Sequence, residues 1–114
     1  MANLKRNMIE LVKEVKGDEV ITETYWTPPF IPMSVVYEAI DLLDENEEIK
    51  TEKQRLDILT EFVAKNIYKD AFTKEQLQDG LHAPDAAQTL MEQVAFIAQG
   101  QQSDATKNFL AKND

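Results

Sequence analysis

A chain of 114 residues points to one domain, able to bury roughly two-thirds of its unfolded surface without covalent staples. Its formal net charge of −9 speaks against nucleic acid as the main partner, because phosphate binding rests on clustered Lys and Arg. With no Cys there is no disulfide framework or thiolate metal site, and no apolar run approaches the roughly 18 residues of a membrane span.

The first residues, MANLKRNMIELVKEV, carry acids inside their apolar part, unlike a signal peptide, so the cytoplasm is the expected compartment. Residues 1–16 fit two periods. Leu4, Met8, Leu11, Val12 and Val15 recur at helical spacing, while Ile9, Leu11 and Val15 alternate as in a strand. Lys16, Gly17, Asp18 and Glu19 form a turn signal, and 20–27 is rich in β-branched and aromatic residues. A strand needs a partner for its backbone, and 8–15 is the one candidate nearby. A hairpin pairing 8–15 with 20–27 is therefore preferred over a helix at 4–16.

Pro28, Pro29 and Pro32 end the strand region, since proline cannot serve a central ladder. Phe30 and Ile31 between them either pack down or form an extended docking segment. A first helix is expected at about 33–44, burying Met33, Val36, Tyr37, Ile40 and Leu43. Residues 38–48 hold six acids and no base. The run at 44–48 lacks the glycine and final Glu of a calcium loop. Acids crowded at a helix C-terminus oppose the macrodipole, which suits either a solvated end or a basic partner.

The second helix, at about 51–68, opens with a capping box of Thr51 and Gln54 and buries Leu56, Leu59, Phe62, Val63 and Ile67. A third, of barely two turns at 74–79, is marked at both ends. Thr73 and Gln76 form a second capping box, Phe72 and Leu77 stand at staple positions, and Gly80 is placed to end the helix in the left-handed conformation. Pro84 suits the first position of a last helix at 84–98, with Ala87, Leu90, Met91, Val94 and Ile97 or Ala98 buried. From Gln99 the composition turns polar, and 99–114 reads as a flexible tail outside a globular domain at 1–98. The fold class is mainly α (α+β), an N-terminal β-hairpin at about 8–27 followed by a bundle of three to four helices.

No reaction centre emerges. His82 is the lone histidine, the two serines sit in no nucleophile elbow, and three glycines cannot build a phosphate cradle. Neither a catalytic residue, a metal site nor a cofactor is assigned, and the chain is not expected to be an enzyme. Trp26, Phe30, Ile31, Tyr68 and Phe72 are the candidate protein contacts, as large residues at element ends. For each of them core packing is the competing role.

An apolar helix end, then a capped short helix, then a helix rich in Leu, Met and Val, resembles the tail assembly chaperones of siphophages, most closely those from phages and prophages of Gram-positive bacteria. The matching residues are Phe62, Val63, Phe72, Thr73, Leu77, Asp79, Gly80, Leu81 and Leu90, and the likeness runs from about Met8 to Gly100. That family also begins with a short β region. The resemblance implies a protein that coats the tape measure protein in the host cytoplasm and is absent from the finished virion. It further implies a longer product, made by a −1 frameshift near the gene's end, that recruits the tail tube protein. Thr106, Lys107 and Asn108, and likewise Ala111, Lys112 and Asn113, permit a slippery A-AAA-AAC heptamer. Such a chaperone should self-associate or assemble in many copies on its client. The competing reading is a small acidic helical regulator or adaptor that binds one protein partner at fixed stoichiometry.

Overall fold

Residues 20–27 do pair with the segment before them. The computed structural model of the chain describes residues 4–43 and 51–112. The acidic run at 44–48, the expected end of the first helix at Asp44, and Asn113 lie outside the described residues. Strands β1 (Met8–Lys16) and β2 (Glu19–Trp26) form an antiparallel hairpin, joined by a two-residue loop in which Gly17 takes φ +60°. Ile9 and Leu11, two residues apart, face the core and are almost fully buried. The register shifts between Val12 and Glu14, so Lys13 sits at a bulge, over the Tyr25 ring and 3.2 Å from Glu23. Beyond the bulge the hairpin leaves the body, and the cross-strand partners Val15 and Val20 are exposed.

The helices are α1 (Ser34–Leu43), α2 (Glu52–Glu61), α3 (Lys74–Gly80), α4 (Ala86–Gln99) and α5 (Asp104–Lys112). Both capping boxes form. The Thr51 and Thr73 hydroxyls accept from the Gln54 and Gln76 amides at 3.1 and 3.0 Å, and each Gln side chain accepts from its Thr amide in return. Phe72 and Leu77, at the staple positions, are both in the core. The second helix does not stay α-helical to its end. Phe62–Ile67 widens into a π-helix, which turns Phe62, Val63, Ala64 and Ile67 all inward. Lys69 and Asp70 then adopt left-handed backbone, with the Asp70 amide closing on the Ala64 carbonyl at 2.9 Å.

Gly80 departs from its expected role. It is the last residue of α3 rather than a left-handed cap, and it is buried because Leu11 of β1 lies against it. A Cβ at Gly80 would stand 2.8 Å from the Leu11 Cβ. The left-handed helix end belongs instead to Gly100, at φ 72°, whose amide donates to the Phe96 carbonyl beyond α4. On α4 the buried stripe is Leu90, Gln93, Val94, Phe96 and Ile97, whereas Ala87 is exposed.

Where composition reads as a flexible tail, the chain forms α5 and returns to the hairpin. Ser103 and Thr106 are buried against Asn7. The Asn7 carboxamide oxygen accepts from the Ser103 amide at 2.9 Å and from the Thr106 hydroxyl at 2.6 Å, and its nitrogen donates to Gln93 Oε1 at 3.3 Å. The Thr106 hydroxyl also accepts from the Met8 amide at 3.0 Å. Gln93 completes the circuit by donating to the Met8 carbonyl and accepting from the Tyr68 hydroxyl at 2.5 Å. No buried side-chain polar atom among the described residues lacks a partner. Phe109 on α5 meets Trp26 edge to face at 5.5 Å.

Two outcomes are expected. Gly80→Ala should lower stability by about 1–3 kcal/mol through overpacking against Leu11, despite the better helix propensity of alanine, read as a lower urea midpoint at unchanged slope. Thr106→Val keeps the side chain's shape but leaves the Met8 amide without its acceptor and takes one donor from Asn7, and should cost about 1–3 kcal/mol. Emission from Trp26, the sole tryptophan, should shift as α5 loosens.

Candidate protein-binding surface

Among the described residues no group of three or more His, Cys, Asp or Glu could hold a metal ion. His82 is exposed at the start of a short 3-10 turn (Ala83–Asp85), where its carbonyl accepts from the Asp85 amide. The Tyr68 hydroxyl is pushed up in pKa by burial alone, the mark of a core hydrogen-bonding group rather than a base. Hydrogen bonds donated to Tyr25 and then to Glu23 raise the Lys13 ammonium, and a hydrogen bond to Asp57 raises Lys74. Lys13 is exposed and Lys74 half-buried, each beside an exposed carboxylate, so both pairs carry little energetic weight.

The five residues singled out by sequence separate cleanly. Tyr68 and Phe72 are core residues, 2 % and 1 % exposed, and have no surface with which to touch a partner. Phe72 stacks edge-on with Tyr25 at 4.9 Å and lies 5.1 Å from Tyr68. The reason is the staple position of Phe72 and the inward turn of the π-helix just before Tyr68. Trp26 is half-buried between Phe109 and the Arg6 guanidinium, 5.9 Å from its ring. Ile31 is half-buried against the core, and Phe30 is 66 % exposed.

Of the residues expected to be buried along the first helix, Met33, Tyr37 and Ile40 are exposed, whereas Val36 and Leu43 pack on the core. Helix α1 carries Val35, Val36, Tyr37, Ala39, Ile40, Leu42 and Leu43, and so is apolar nearly all round. It buries Val35 and Ala39 against the body, chiefly toward α4. Ala39 has nothing beyond Cβ, and this lets α1 lie close to its neighbour. The expected face is therefore split: Val36 and Leu43 pack against the core, while Tyr37 is 63 % and Ile40 51 % exposed, with Met33 at 70 % just before the helix. Positions 33, 37 and 40 form one stripe, and Phe30 stands just before it. A groove of about 340 Å³ continues the apolar surface, lined by Leu4, Phe30, Ile31, Val36, Phe96 and Ile97. A second, larger cleft of about 760 Å³ opens over Leu56, Leu81 and Leu90, with Lys53, Asp57 and Gln78 around it.

A family model described as phage tail chaperone protein matches residues 3–114. The chain belongs to the phage tail chaperone family. The match includes α5, past Gly100 where the sequence motif thins. No curated protein and no solved structure matches the chain. The family's role lies in assembly rather than catalysis, which accords with protein partners in tail assembly. No helix among the described residues is long and apolar enough to cross a membrane.

The division between core and surface is measurable. Tyr37→Ser and Ile40→Ser should each leave the melting temperature almost unchanged, within about 0.5 kcal/mol of stability. Phe72→Ala should cost about 3–5 kcal/mol in the same thermal scans.

Proposed function

We propose that this tail chaperone coats and solubilises the tape measure protein during tail assembly, in the host cytoplasm, and leaves before the virion is complete. One observation carries the reading: a family member whose first helix is apolar on both sides has only one side covered by its own fold. Such a face offers burial at roughly 25 cal/mol per Å² to an exposed apolar helix of a client. Many copies, each weakly held, give avidity while every copy stays displaceable. The net charge of −9 keeps a crowded complex in solution.

Recruitment of the tail tube protein falls to a longer frameshifted product. A slip at Thr106, Lys107 and Asn108 would keep Ser103 and Thr106, the two anchors on Asn7, and replace Phe109. A slip at the later Lys-Asn pair would keep Phe109 on Trp26 as well. In either case the extension emerges from α5 while α5 stays tied to the hairpin. Synonymous codons that break both heptamers would remove the longer product from this account.

The test is co-expression with the tape measure gene. The tape measure protein should become soluble only with this chain present, and light scattering after size exclusion should show many copies per client. A client that stays insoluble, beside a chain eluting alone as monomer or dimer, would favour the one-partner adaptor.

A further inference from the structure

Charge is distributed very unevenly along this chain. Residues 17–49 hold nine carboxylates and no Lys, Arg or His, while the remainder balances twelve acids against twelve bases. The entire formal charge of −9 thus belongs to the stretch that contains Phe30 and α1. On α1 itself Glu38 and Asp41 are exposed, and Asp41 stands one turn beyond Tyr37, beside the apolar stripe. Glu38 is met by the neutral Asn66 amide rather than by a cation. The last turn of α1 contains no base, so the negative end of the helix adds to the same field.

These charges select among occupants of the apolar face. A second copy docked about a two-fold axis on this face would bring the Glu38 and Asp41 of each copy together, and like charges across a contact are disfavoured. Nucleic acid and anionic lipid are repelled for the same reason. An apolar helix flanked by bases satisfies both the stripe and the field.

We infer that the outer face of α1, with Phe30 beside it, seats a basic amphipathic helix of the client. Its apolar residues, spaced three and four apart, meet Phe30, Met33, Tyr37 and Ile40, and its flanking Lys or Arg meet Glu38 and Asp41. This deepens the coating role and rests on that reading for the identity of the client.

The probe is a labelled peptide of about 20 residues with Leu along one helical stripe and Lys on both flanks, beside a twin carrying Glu for Lys. Anisotropy on the full chain should show the Lys peptide binding at least about tenfold more tightly than its twin. Raising salt from roughly 0.05 to 0.3 M should remove most of that difference. The double variant Tyr37→Ser/Ile40→Ser changes no charge and should weaken the Lys peptide about tenfold or more, with circular dichroism confirming its fold. Asp41→Lys should narrow the gap between the peptides. Equal binding of the twins, or binding of the Lys peptide untouched by the double variant, overturns the inference. Rescue of the tape measure protein by the double variant as well as by the native chain would leave the coating role standing without this face. Peptide binding at α1 with no rescue would leave the face standing and remove the coating role.

Discussion

Asn7 is the residue on which the closure of this molecule depends. It sits just before β1, fully buried, and its carboxamide touches α4 through Gln93 and the last helix through Ser103 and Thr106. Its backbone holds the other strand, exchanging bonds with the Thr27 amide and hydroxyl. Segments far apart in sequence thus meet at one residue. A buried polar group left without partners costs far more than a bond made in water returns, so the arrangement tolerates little variation. Apolar packing alone would hold α5 loosely, since Thr106 is its one buried residue. Polar satisfaction, rather than apolar area, ties the C-terminal helix to the N-terminal hairpin.

That tether has a consequence for the surface. By sealing the hairpin's start, α5 gives Met8 and Trp26 cover, and the body's aromatic residues are then mostly occupied. Tyr25, Tyr68 and Phe72 stack on one another, and Trp26 stacks on Phe109. Phe30, Met33, Tyr37 and Ile40 stay open at the proline segment and along α1, as Val15 and Val20 do on the hairpin. Leaving Tyr37 and Ile40 in water forgoes stabilisation of about 25 cal/mol for each Å² kept exposed. The carboxylates of 17–49 lie in the same stretch, and their mutual repulsion discourages these faces from pairing with one another.

Local signals were legible in the sequence wherever the physics is local. The turn at Gly17, both capping boxes and the β-branched run of β2 each involve residues within a few positions of one another. Less was readable where the deciding atom comes from afar. Gly80 looks like a helix terminator, and only the approach of Leu11 shows why it has no side chain. Helix α1 offers two apolar faces, and no periodicity can choose between them before α4 is in place. Asn7, Gln93, Ser103 and Thr106 are polar residues of the sort usually found on surfaces, and their burial follows from one another rather than from any single stretch. Of the candidate contacts, Phe30 stays exposed in the proline segment, outside regular structure. Tyr68 and Phe72 were misplaced because a large residue at a helix end can point either way.

On the proposed reading, a coat that must later be shed places a ceiling on the strength of each contact. Phe, Tyr, Met and Ile together expose on the order of 400 Å² at Phe30 and along the α1 stripe, worth roughly 10 kcal/mol if fully covered. Association of two bodies costs about 4–15 kcal/mol in lost freedom before side-chain ordering is counted, so a single copy binds weakly at best. Electrostatic attraction then matters more for finding and orienting a basic helix than for holding it. Under the same proposal a row of copies along a long client multiplies these weak contacts, and each can still be displaced singly. On the proposed reading, the small area of the open face is therefore as much a requirement of the function as its apolar character.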